Sequence, residues 1–199
     1  SLGKDCTIVH LSDLHFGSVS GPRTVRRIVD AVKKVNPDIV LITGDVFDGS
    51  GRPKGSWLKP FQELRNVVAS LGNHDAYFGA DTAQRLLEQN NVTVLRGDQV
   101  EIEGLTIYGV DDVEIAGEVP DPKMEFNQPS IYLTHRPEPE IVLPKLQADL
   151  ILSGHTHAGQ LFYPVGILKS LVNTYVQGLY ELPNGSLYVS QGIGTSGPP

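Results

Sequence analysis

Short runs of β-branched residues alternate with amphipathic stretches through the first half of the chain. Thr7–Leu11 is apolar on both faces, the pattern of a buried parallel strand. Thr24–Val35 sets Val25, Ile28, Val29, Val32 and Val35 on one stripe with basic residues between them, which predicts a helix. Asn36-Pro37-Asp38 stops that helix, and Ile39–Thr43 is the next strand. This βαβ unit is expected to be right-handed, with both strand ends on one edge. Lys59–Arg65 follows as a helix, Asn66–Leu71 as a third strand, and Asp81–Glu88 as a helix with Asp81 as its N-cap.

From Val92 the texture changes to short strands punctuated by Gly, Asn and Pro. They are Val92–Leu95, Gln99–Ile102, Leu105–Val110, Ser130–Thr134, Leu150–Ser153, Leu161–Tyr163, Thr174–Glu181 and Ser186–Ser190, with a short helix at Glu138–Leu146. No internal repeat or low-complexity segment interrupts them. Motif residues come from both halves, so residues 1–199 read as a single domain of two packed sheets with outer helices.

The chemistry is concentrated just after the strands. Asp13-Leu14-His15, Gly44-Asp45-Val46-Phe47-Asp48, Gly72-Asn73-His74-Asp75, Thr134-His135 and Gly154-His155-Thr156-His157 each follow a predicted strand. Turns at the same ends of neighbouring strands converge on one crevice. Asp13 and His15 are two apart in what reads as an extended segment, so their side chains share a side. Asp45 offers two oxygens and can bridge two cations, Asn73 offers an amide oxygen, and His135, His155 and His157 offer imidazole nitrogens. Two carboxylates, one amide and four histidines exceed one tetrahedral site and suit two ions with open positions. Mixed N and O donors without sulfur suit Mn, Fe, Co, Ni or Zn better than Ca or Mg alone.

Composition narrows the picture further. With 40% hydrophobic and 20% charged residues, the 199-residue chain is ordinary globular material. Its net charge of -7 argues against a broad footprint on nucleic acid or anionic lipid, though not against a phosphate substrate beside bound cations. Cys6 is the only cysteine, which excludes an intrachain disulfide and a thiolate zinc cluster. No apolar stretch reaches the ~18 residues of a spanning helix.

Taken together, the series DxH, GDxxD, GNHD, H and GHTH resembles the calcineurin-like metallophosphoesterases, also called the purple-acid-phosphatase-like superfamily. The resemblance covers nearly the whole chain. Gly154–Gln160 and the closing Gly192–Pro199 look like a bacterial and archaeal branch often attached to N-terminal membrane helices. It implies an α/β fold, a four-layer α/β/β/α sandwich of two mixed sheets with outer helices. It also implies two divalent or trivalent transition-metal ions. Asp13, His15, Asp45 and His157 would hold the first; Asp45, as bridge, with Asn73, His135 and His155 would hold the second. A hydroxide between the ions would attack phosphorus in line. His74 would stabilise phosphoryl oxygens or protonate the leaving group, with Asp75 orienting it.

The implied function is a phosphohydrolase acting on phosphodiester, pyrophosphate or phosphomonoester bonds of a small-molecule or lipid-linked substrate. A nuclease of the same superfamily is disfavoured by net acidity, since no basic stripe carries interleaved aromatics. A metal-bound scaffold without turnover is disfavoured by His74, which a binding module does not need. The abrupt start and the branch resemblance predict a catalytic domain cut from a membrane-associated parent, itself soluble.

The remaining residues get plainer readings. Asp48 is expected to cap a helix or support the ligands, His10 to sit in the core, and Asp111-Asp112 to form a solvated turn. Arg136 divides evenly between a substrate phosphate and a surface salt bridge. The apolar Leu161–Val172 segment and Trp57 read as core and ordered loop first, and as a lipid-facing lip near the metals second.

Overall fold

A computed structural model describes residues 5–51, 53–117, 129–137, 147–157 and 175–194. Its first sheet is wholly parallel, in the order β1 (Ile8–Leu11), β2 (Ile39–Thr43), β3 (Val67–Ser70) and β4 (Val92–Val94). The second sheet is mixed, in the order β5 (Asp98–Ile102), β6 (Leu105–Gly109), β7 (Ser130–Leu133), β8 (Leu150–Ser153), β10 (Gly185–Val189) and β9 (Gly178–Leu182). The expectation of two mixed sheets is therefore corrected for the first. Its strands are joined by helical and turn crossovers, which return each strand in the same direction.

Side-chain alternation divides the core. On β2, Val40 and Ile42 join a cluster with Val25, Ile28, Val29 and Val32 of α1 (Pro22–Val35), while Ile39 and Leu41 point into the gap between the sheets. There they meet Ile131 and Leu133 of β7 and Leu152 of β8. Being buried on both faces explains why β2 reads as an unbroken apolar run. On the far side of the second sheet, Tyr132, Ile151, Leu187 and Val189 form a third cluster. The helix expected at Glu138–Leu146, the strand at Leu161–Tyr163 and the apolar Leu161–Val172 segment lie outside the described residues.

Local differences from the sequence reading have local causes. The helix after β3 begins at once, as α2 (Asn73–Phe78), and Gly79 separates it from α3 (Ala80–Glu88). Gly79, not Asp81, is the N-cap of α3; Asp81 pairs instead with Arg96 at 2.8 Å. The Lys59–Arg65 segment is a tighter 3-10 turn, Lys59–Glu63. Asp112, expected in a solvated turn, is buried and caps a one-turn helix, α4 (Val113–Ala116), by accepting from Glu114 N at 3.0 Å. It also receives Arg136 Nε at 2.7 Å and Nη2 at 3.2 Å, which resolves Arg136 as a salt-bridge residue.

Candidate metal centre

Each of the five motifs follows the end of a strand: β1 leads to Asp13 and His15, β2 to Asp45, β3 to Asn73 and His74, β7 to His135, and β8 to His155 and His157. Strand pairing thus brings residues from both sheets to one edge. Asp13, His15, Asp45, His155 and His157 all have positive φ, between 45° and 71°. The segment expected to be extended at Asp13–His15 is therefore interrupted by left-handed backbone at both Asp13 and His15. Such backbone costs roughly 1–2 kcal/mol per non-glycine residue, and strain of this kind gathers where function fixes side-chain direction.

Asp13, His15 and His157 form one group of converging donor atoms, and Asp45, His135 and His155 form another. His157 Nε2 is 3.4 Å from Asp13 Oδ1 and 3.1 Å from His15 Nε2. His135 Nε2 is 3.2 Å from both Asp45 Oδ2 and His155 Nδ1. Asp45 Oδ2 is also 3.9 Å from His15 Nε2, so one carboxylate reaches both groups. His74 converges with His15 and Asp45 in a third, overlapping group.

These residues fit cations. Asn73 Oδ1 is buried without a hydrogen-bond partner among the described residues, an unusual cost unless something binds there. The ring of His135 is oriented from behind, since its Nδ1–H donates to the Thr43 carbonyl at 2.9 Å and leaves Nε2 as the ligand atom. Gly72 is required by space: a Cβ there would collide with Asp45 Oδ1 and stand 2.9 Å from His135 Cγ.

Electrostatics favour the same assignment. Burial would raise the Asp45 carboxyl, but the neighbouring His135 and His74 hold it below the usual carboxylate range. Burial lowers His15, and lowers His155 to about 4 with help from the charge on His135. Both are thus kept as neutral imidazoles, the form that ligates. His135 runs the other way: it is raised to about 10, because the pull of Asp45 outweighs burial, so a cation held by its Nε2 would displace a proton.

His74 and Asp75 behave differently from each other. The His74 backbone N–H donates to Asp45 Oδ1 at 2.8 Å, and its ring Nδ1 donates to the Asp48 carbonyl at 3.0 Å, leaving Nε2 uncommitted. The Asp75 carboxylate is fully buried and accepts from Gly72 N at 2.9 Å, Phe47 N at 2.9 Å and Val46 N at 3.3 Å. The contact expected between Asp75 and the His74 ring is thus made by Asp48 O, and Asp75 ties the β2 and β3 loops together. Burial, with the charge of Asp45, raises its pKa to about 7. The Asp48 carboxylate staples its own loop by accepting from Ser18, Ser50 and Gly51 N–H groups at 2.7, 2.8 and 2.9 Å. Sequence reasoning found the ligand candidates but missed Thr43 and the carbonyl of Asp48. A backbone acceptor has no side-chain signature to read.

Behind the site, His10 Nε2 meets Thr43 Oγ1 at 2.8 Å and the ring lies edge-on to Tyr188. It takes no part in any of the ligand groups, as expected. Of the residues assigned to an apolar lip, Trp57 is half-buried in a 3-10 turn (Gly55–Trp57), and Phe162, Ile167 and Leu168 lie outside the described residues.

The two sheets carry a cluster of histidines and carboxylates at their shared edge. The chain belongs to the calcineurin-like phosphoesterase family, whose profile matches residues 6–159. An uncharacterized metallophosphoesterase of Helicobacter pylori is 36% identical over 100% of this chain and 57% of its own length. A transmembrane protein with metallophosphoesterase domain of Danio rerio is 33% identical over 96% of this chain and 49% of its own. The chain thus spans about half the length of these curated relatives. The crystal structure of a calcineurin-like phosphoesterase of Bacillus subtilis shares the fold, with a TM-score of 0.55 at 14% identity over 94% of this chain and 81% of that one. Among the described residues no helix is long and apolar enough to cross a membrane.

Proposed function

We infer that this chain hydrolyses phosphoester bonds at a two-metal centre, with diester or pyrophosphate bonds slightly favoured over monoesters by the branch resemblance. The reading rests above all on Asp45, the one carboxylate among the described residues whose oxygens converge with both His15 and the His135–His155 pair. Asp13, His15 and His157 would hold one ion, Asn73, His135 and His155 the other, and Asp45 both. When bound, the ions supply Lewis acidity to the phosphoryl oxygens and to the attacking water.

The protein's own groups do the rest. His74 is positioned twice, by its N–H on Asp45 and by its Nδ1–H on the Asp48 carbonyl, so Nε2 presents itself to the substrate. A protonated Nε2 there donates to a phosphoryl oxygen or to the leaving oxygen. The Asp75 carboxylate holds both loops still while this happens. The substrate class is a small phosphoester, and the acidic chain carries no basic stripe with interleaved aromatics for nucleic acid.

Hydrolysis of a generic aryl phosphodiester tests the proposal. Turnover abolished by a chelator and restored by Mn is the expected result. No turnover on mono-, di- or pyrophosphate esters with any of Mn, Fe, Zn, Ni or Co would overturn it and favour a metal-bound scaffold.

A further inference from the structure

Tyr77 is a large side chain left in solvent at the edge of this site. It is 60% exposed, and its ring lies 5.5 Å from that of His74 at 63°, edge to face. His15, which is buried, also lies against His74, with ring centroids 4.8 Å apart. The aromatic series therefore runs from the candidate ligands outward: His15, His74, Tyr77.

Exposure alone would mean little, because single exposed apolar residues are common. Tyr77 is exposed and also fixed. The turn after Asp48 closes against its root: a Cβ on Gly49 would stand 2.9 Å from Tyr77 Cβ and 3.3 Å from the His74 carbonyl oxygen. Gly49 has φ of 75°, so both space and backbone demand glycine there. That turn is itself stapled by the Asp48 carboxylate. An aromatic ring anchored at its base and largely exposed is pre-organised for contact, and ordering it costs little on binding.

Its place relative to His74 says what it would contact. If His74 Nε2 serves the leaving oxygen, the organic group on that oxygen passes next to the neighbouring ring. We propose that Tyr77 is a specificity-determining residue, a stacking platform for a planar ring, aryl or heterocyclic, on the leaving-group side of the phosphate. This rests on the phosphohydrolase reading for its meaning, but the contact can be measured without turnover.

Isothermal titration of the metal-supplied protein with phenylphosphonate, cyclohexylphosphonate and inorganic phosphate provides the test. The phenyl and cyclohexyl probes are similar in size and apolarity, and only one is planar. Tyr77→Ala should weaken phenylphosphonate about tenfold and change the other two less than about twofold, while Tyr77→Phe should retain all three. A nucleoside phosphonate as a fourth titrant tells the sources apart: tighter binding than phenylphosphonate, lost in Tyr77→Ala, means a base, and the reverse order means a simple aryl group. Equal weakening of every probe would mean that Tyr77 acts only by propping His74, and no change in any would mean that it does not meet ligands. Either result overturns the proposal. Ring discrimination in a protein that hydrolyses nothing would sink the phosphohydrolase reading and leave the platform standing. Turnover without discrimination would do the opposite.

Discussion

His15 Nε2 and His157 Nε2 stand 3.1 Å apart, although 142 residues separate them in the chain. One follows β1 in the parallel sheet and the other follows β8 in the mixed sheet, so this contact joins the two halves of the fold. Two imidazoles held so close in a buried place gain little from each other. They gain much from a shared cation. His157→Ala should therefore lower bound metal by about one ion per chain, while the melting temperature in chelator stays within a few degrees of the parent. Metal analysis and thermal scans check both. A large loss of stability in chelator would make the pair a structural contact instead.

His74→Ala should cut turnover by roughly 10²–10⁴ with metal content unchanged, since its part is proton donation or charge stabilisation. Asp45→Asn should lower both rate and metal content. Equal metal loss in the two variants would place His74 among the ligands, in line with its convergence on His15 and Asp45.

Asp75 separates two accounts of the GNHD motif. Its carboxylate accepts three backbone N–H groups in a buried position, so Asp75→Ala leaves three donors without partners. A loss of about 2–4 kcal/mol in unfolding free energy is expected, read by urea denaturation. Had Asp75 served only to orient His74, activity would fall with stability intact.

Much of this arrangement is visible in the amino-acid order. Ile39–Thr43 is a strand with the expected bounds, because burial on both faces leaves an unbroken apolar run. The ligand candidates stand out because imidazoles and carboxylates after strands have few other uses. What stayed hidden depends on contacts made in three dimensions. Asp75 looks like a partner for its neighbour until the loop after β2 arrives to supply two of its three donors. Asp112 reads as solvated until Arg136, 24 residues on, covers it. The left-handed backbone at Asp13 and His15 is imposed by hydrogen bonds to the β2 loop, His15 N to Asp45 O at 3.0 Å and Asp13 N to Gly44 O at 3.1 Å, which no local propensity encodes.

His10 predicts a pH dependence. Burial lowers its pKa from 6.5 to about 4, only partly offset by Asp13. The folded protein thus keeps the ring neutral where the unfolded chain would protonate it. Its contribution is whole above about pH 6.5 and is lost as the pH falls towards 4, up to roughly 3 kcal/mol. Urea unfolding of the parent and His10→Gln at pH 7 and pH 4.5, both in chelator, isolates it. The difference between the two proteins should shrink or reverse at the lower pH, and a constant difference would contradict the assignment.

The most direct test of the account is the metal stoichiometry around Asp45. Crystals grown from metal-replete protein should show two anomalous peaks per chain with the Asp45 carboxylate between them, and elemental analysis should return two transition-metal ions. A single peak with full occupancy, under conditions where more metal is available, would contradict the shared carboxylate on which the proposed chemistry rests.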